Sequence, residues 1–410
     1  MMKRFLFPVL MVPLMVLSFS CSLEPTYTKD NIIQGTKDLL LKEFDIRSEV
    51  KIKDTTIGVC VRVPRLFVSA QKASPLFPDI YQNIMLCLRR VLLSTNVDIQ
   101  FFQINFRGDD TGIEISFLQY LRDLKILLLS GISFEDYQKR RIYKNLINIA
   151  DLGKKKLEAF FSDLGSKKSD TLIAQHFTSD INKSNIAPGF VTWLWESLMK
   201  MNIRHDIQDI RMVCVDENSY YFYCKVKETF DPKNGFQNSS FSTYSGGETE
   251  YVFEMVSLSY FSVLINRLFL LKDSESVNNP SLSKVIKEYG APQSWPKTDF
   301  FVSPMTFNKF LAEQIAGRIL GKISEENTPP EKSDKNAKPV LPRIISVKAD
   351  YEDNAIKIIF IYNNNRKELA PEDEMMAKDI AKTVLDLYNY QECRLLKMGT
   401  LNGTLTSYPL

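Results

Sequence analysis

Polar and apolar positions alternate with period two over Ile57–Val63, where Ile57, Val59, Val61 and Val63 are separated by Gly58, Cys60 and Arg62, the pattern of a strand. Pro78 then opens a stretch with Asp79 in its first turn and Ile80, Ile84, Leu88 and Val91 on one face at helical spacing. Asp98-Ile99-Gln100 leads into a strand reaching Phe106, Gly108-Asp109-Asp110-Thr111-Gly112 turns the chain, and Ile113–Phe117 returns. The same order reads twice more. Leu172–Phe177 is a weak strand, Pro188 opens a helix with Phe190, Leu194, Leu198 and Met201 on one face, and Ile210–Val215 with Tyr220–Val226 forms the hairpin. Ile356–Tyr362 is a strand, Pro371-Glu372-Asp373-Glu374 starts a helix striped by Met376, Ile380, Val384 and Leu387, and Glu392–Met398 with Gly403–Ser407 closes the unit. The helix-opening proline precedes the next strand by 20, 18 and about 20 residues in turn. The expected fold class is α+β: tandem two-layer α/β units, strand–helix–hairpin repeated about three times, with connecting helices and each helix on its sheet's apolar face.

Between these units, Ser133 caps a charged helix running toward Leu164, with Asp136 three residues on. Its basic residues read as a solvated connector face, since Glu135, Asp136, Asp151, Glu158 and Asp163 balance them. Tyr251–Leu271 is very apolar, but Glu254 and Arg267 leave 12 residues between them, short of the ~20 a spanning helix needs. A strand running into a buried helix is expected there. Phe307–Ile323 reads as an amphipathic helix, and the polar, Pro-bearing stretch after it as a linker. The expected division is 1–20 signal segment, 21–46 tether and first helix, 47–132 first unit, 133–165 connecting helix, 166–322 second unit with helical extension, 323–341 linker and 342–410 third unit.

The start of the chain is an address. Met1-Met2-Lys3-Arg4 is a short positive segment, and Phe5–Phe19 is an apolar run of 15 residues broken by Pro8 and Pro13. It ends in Leu17-Ser18-Phe19-Ser20-Cys21. Here the chain resembles a bacterial lipoprotein precursor. The resemblance covers about 22 residues and implies cleavage before Cys21, acylation of that cysteine with palmitate-type chains, and durable attachment, since each buried CH₂ contributes ~0.8 kcal/mol. Ser18-x-Ser20 also suits ordinary signal cleavage, and either route cuts before Cys21. Ser22 follows the cysteine, which in a double-membrane bacterium implies the outer membrane, periplasmic face.

The 410 residues carry 44% hydrophobic and 25% charged side chains, enough to bury a core. A formal charge of +3, falling to about +1 without Lys3 and Arg4, is too balanced for nucleic acid. Two histidines, His176 and His205, cannot build a His-rich zinc site. Cys60, Cys87, Cys214, Cys224 and Cys393 are odd in number and read as small buried apolar residues. If the hairpin closes on Asp216–Ser219, Cys214 faces Tyr221 and Cys224 lies opposite Arg211 on the other face, so no bridge forms.

No cofactor or metal is implied. Gly317–Lys322 lacks the Ser/Thr and the length of a phosphate loop, and Ser281-x-x-Lys284 and Ser48-x-x-Lys51 have no Lys-Thr-Gly partner. No Gly-x-Ser-x-Gly occurs. Asp109-Asp110 and Asp231–Gly235 are turn sequences, and His205 with Asp206 reads as a surface pair. Trp193 and Trp195 are the candidate partner contacts. The expected role is a lipid-anchored cell-envelope protein that binds or scaffolds an envelope protein, glycan or lipid without catalysis. The alternative is an envelope hydrolase or ligand-binding receptor with a site between the units.

Overall fold

The structure, a computed structural model, describes residues 25–64, 66–69, 72–108, 113–164, 169–178, 203–230, 247–259, 262–271, 279–326, 343–364, 366–393 and 395–409. The signal segment, Cys21, the helix from Pro188 with Trp193 and Trp195, and all of the 323–341 linker beyond Glu326 lie outside them. The fold is α+β with repeated strand–helix units, as the hydrophobic pattern predicts.

In the first unit, helix α1 (Ile32–Phe44) precedes β1 (Ser48–Lys53) and β2 (Thr56–Val63), then the two-stranded ribbon β3 (Phe67–Ser69) and β4 (Lys72–Ala73), helix α2 (Phe77–Leu93), β5 (Phe101–Gly108) and β6 (Ile113–Tyr120). Helices α3 (Leu121–Leu128) and α4 (Phe134–Lys139) lead to β7 (Ile142–Ile147), completing a sheet of order β1-β2-β5-β6-β7. β2 and β5 run parallel through the α2 crossover; the other neighbours are antiparallel. The period-two pattern sets the faces. Ile57, Val59, Val61, Phe102, Ile104, Phe106, Ile115 and Phe117 pack with α1 and α2 in one core.

Helices α5 (Ile149–Leu164) and α6 (Ser169–His176) precede the second sheet, an antiparallel meander of β8 (Ile203–Cys214), β9 (Ser219–Phe230), β10 (Gly247–Ser259) and β11 (Ser262–Leu270). Both faces are covered. Phe222, Tyr251, Phe253 and Leu268 pack with Leu157, Phe160 and Phe161 of α5. Tyr223, Val252 and Phe269 pack with Trp295 and with Leu282 and Val285 of helix α7 (Pro280–Tyr289). This two-sided burial corrects the expectation for Tyr251–Leu271: a continuous apolar run here is a hairpin of strands covered on both faces, not a strand and a helix.

Helix α8 (Phe307–Glu326) sends Leu311, Ile315 and Ile319 into the core of the third sheet, formed by β12 (Ile344–Glu352), β13 (Ala355–Tyr362), helix α9 (Pro371–Leu387), β14 (Leu395–Thr400) and β15 (Thr406–Pro409). β13 and β14 are parallel through α9, and β12 and β15 are antiparallel to them. The first and third units thus share helix–strand–strand–helix–strand–strand order. Their crossover helices α2 and α9 are both 17 residues long with proline in the first turn. Their first hairpins both turn at left-handed residues, Asp54 in one and Asp353-Asn354 in the other.

Three local expectations are corrected. The charged stretch 133–164 is not one helix: Ser133 caps α4, accepting from the Asp136 amide, and the alternating residues Ile142–Ile147 pair with β6 before α5 begins. Leu172–Phe177 lies in α6 and its C-terminal flank, so the second unit lacks that strand. The β8–β9 hairpin closes over Asp216, Glu217 and Asn218, with Asp216 Oδ1 accepting from the Asn218 and Ser219 amides at 2.8 Å. Cys214 therefore pairs with Tyr220 and Cys224 with Ile210, and both thiols face one core. Four strand steps separate them, about 13 Å at ~3.3 Å each, beyond the ~7 Å a bridge spans. Cys60, Cys87, Cys214, Cys224 and Cys393 are all free and buried.

Candidate functional site

The second face of the first sheet is polar in sequence, yet it is buried. Gly58 and Cys60 of β2, Gln103, Asn105 and Arg107 of β5, and Glu114 and Ser116 of β6 lie under the segment Asp299–Ser303. A Cβ on Gly58 would stand 2.2 Å from Val302 Cγ2, so glycine is what lets this segment lie against the sheet.

Antiparallel register sets Asn105 opposite Ser116 and Arg107 opposite Glu114. Arg107 is 2% exposed. Its Nε donates to Glu114 Oε2 at 2.9 Å and its Nη2 to the Asp299 carbonyl at 2.9 Å. Asn105 Nδ2 donates to the other Glu114 oxygen at 2.5 Å, and Ser116 Oγ donates to Asn105 Oδ1 at 2.9 Å. Gln103 donates to the Phe301 carbonyl and accepts from the Ser303 amide. Burial works against the Arg107 charge, but Glu114 outweighs it and raises the guanidinium pKa, so Arg107 stays charged. Asp299 then ties two sheets together, accepting from Lys51 Nζ at 2.7 Å and from the Cys214 amide at 2.9 Å. Lys144 on β7 similarly joins Glu217 of the second unit and Glu313 of α8.

Beside Arg107 the joint opens into a cavity of about 500 Å³. Its walls come from Arg62 and Arg107 of the first sheet, Asn148 and the opening turns of α5, Ile207–Ile210 of β8, Phe222 of β9, and Lys297-Thr298. Asn148 anchors the start of α5 by donating to the Gly108 carbonyl at 3.3 Å. Gly153 lets α5 sit directly on Phe222, whose ring would stand 2.2 Å from an added Cβ. The cations are Arg62, Arg107, Lys154 and Lys297; the acids are Asp151, Glu158 and Asp209. Each acid has a cation in its own element: Lys155 for Asp151 at 2.8 Å, Lys154 for Glu158 at 4.0 Å, and Arg211 for Asp209 at 2.6 Å.

Of the other residues singled out in the sequence, those that are described lie away from this cavity. Cys21, Trp193, Trp195, Asp109-Asp110 and Asp231–Gly235 lie outside the described residues. His205 is not a surface residue. Its side chain is 2% exposed against the Phe161 ring, with Nε2 3.9 Å from Glu228, while Asp206 points the other way to Gln208. Desolvation pushes the imidazole down to about 4, keeping it neutral. His176 Nε2 lies 2.8 Å from Asp163 and packs on Phe160. Ser281 accepts from Arg267 and donates to Asn279, the cap of α7, so its spacing to Lys284 reflects a helix start. Gly317–Lys322 sits inside α8.

Among the described residues no three His, Cys, Asp or Glu side chains group as metal ligands, and no helix is long and apolar enough to cross a membrane. Arg107 and Glu114, the centre of the joint, were legible as flanks of the Gly108–Gly112 turn, but nothing local marked their face as covered. No protein-family model matches the chain, and no curated protein is significantly similar to it.

Proposed function

We propose that this chain is a lipid-anchored cell-envelope protein whose joined α+β units bind a partner or ligand without catalysis. The observation that carries the anchor is Cys21 directly behind a basic start and a 15-residue apolar run. Five residues, Ser22–Thr26, separate it from Tyr27, whose backbone bonds to Ser94 and Asn96. At ~3.5 Å per residue this tether reaches at most about 20 Å, so the body would be held close to the lipid surface. The intact mass of the native protein tests the anchor. The reading expects a chain beginning at Cys21 with acyl mass added, and a Cys21→Ala variant released from membranes. An unmodified or uncleaved start would overturn it.

The cavity at the joint of the first and second sheets favours the ligand-binding form of the alternative reading. No serine, cysteine or histidine is among the described residues lining it, so a Ser–His or Cys–His pair is not supplied there.

A further inference from the structure

We propose that the cavity beside Arg107 is a binding site for a small oxyanion-bearing ligand, a phosphorylated or multiply carboxylated molecule. The inference rests on the binding half of the function proposed above and not on the anchor.

Three features of the cavity carry it. Arg107 is a buried guanidinium with five N–H donors, and its Nε and Nη2 are occupied by Glu114 and Asp299. Its Nη1 is buried with no hydrogen-bond partner among the described residues, a loss that a chain does not carry without cause. Arg107 lines the cavity, and an oxyanion drawn against it would be the third acceptor of its guanidinium, after Glu114 and the Asp299 carbonyl.

The second feature is the start of α5. Asn148, Ala150 and Asp151 line the same cavity, so the positive end of a 16-residue helix faces it. The third is the balance of the wall. Asp151, Glu158 and Asp209 are each engaged by a cation within their own element, whereas Lys297 forms no ion pair among the described residues. The surplus is cationic. Phe222, Ile207 and Ile210 add an apolar floor for a carbon skeleton, and about 500 Å³ suits a ligand of sugar-phosphate to nucleotide size.

The test is calorimetric titration of the purified full-length chain with inorganic pyrophosphate and, separately, citrate, at constant ionic strength. The proposal expects saturable one-site binding by at least one probe, tighter than about 1 mM. Pyrophosphate alone would identify a phosphate ligand, and citrate alone a carboxylate ligand. Lys297 is exposed, so Lys297→Ala should fold normally and weaken binding roughly three- to tenfold. Arg107→Lys should weaken it more. Should that variant fail to fold, Arg62→Ala combined with Lys297→Ala takes its place, with a loss of more than about tenfold expected. No saturable binding of either probe, or an affinity unchanged in Lys297→Ala and in the double variant, would overturn the site. That result would leave the acyl mass on Cys21 to decide the anchor by itself.

Discussion

The sheets built on β2 and β13 share the order of their first four strands and a 17-residue crossover helix, yet their second faces have opposite fates. In the third unit that face carries Lys348, Asp350, Lys357 and Lys397, all exposed or half-exposed, with Asp350 opposite Lys357 across the strands. In the first unit it carries Gln103, Asn105, Arg107, Glu114 and Ser116, all buried. Both sets alternate with apolar residues, so both look like solvated faces in sequence. The difference lies in residue type. The third sheet uses long, flexible charges that hold water. The first uses amides, a hydroxyl and one Arg–Glu pair set directly opposite each other, which can satisfy one another under Asp299–Ser303. A polar face that closes its own hydrogen bonds is fit to be covered, and here the cover joins two sheets beside a cavity.

The contrast can be broken most severely at Glu114. Glu114→Ala leaves the Arg107 charge buried without its partner and should cost about 3–5 kcal/mol in urea unfolding. Next is the cover itself. Gly58→Ala drives a methyl into Val302 and should cost about 1–3 kcal/mol, partly recovered by adding Val302→Ala. The second sheet offers a titrating version of the same physics. The folded-state pKa of His205, about 4, lies below its ordinary 6.5, so the unfolded chain takes up the proton first. Its contribution is complete above pH ~6.5 and is lost as pH falls toward ~4, by on the order of 3 kcal/mol. The difference in unfolding free energy between the parent chain and His205→Leu should therefore shrink over that range. The smallest effect belongs to the open face: Lys357→Ala should change stability by less than about 0.5 kcal/mol.

Most of the strands and the three helices opened by proline or framed by apolar stripes, α2, α8 and α9, were legible because their periodicity is local. The misreadings came where tertiary burial overrode it. Tyr251–Leu271 lost its alternation because both faces of β10 and β11 are covered. The 133–164 stretch kept helix-favouring charges on both sides of β7, whose strand character depends on pairing with β6. The β8–β9 register depended on Asp216 capping a three-residue turn, one residue shorter than composition suggested. The cavity was not legible at all. Arg62, Arg107, Asn148, Asp209 and Lys297 are far apart in sequence, and only the docking of two sheets brings them together.

The most direct test of the covered polar face is a double-mutant cycle on Arg107 and Glu114, using Arg107→Met and Glu114→Leu in equilibrium unfolding with matched denaturant slopes. If the pair is buried and mutually satisfying, each single variant is more destabilised than the double variant, and the coupling is about 2 kcal/mol or more. Additive single effects, with coupling below about 0.5 kcal/mol as for an exposed pair, would contradict the account.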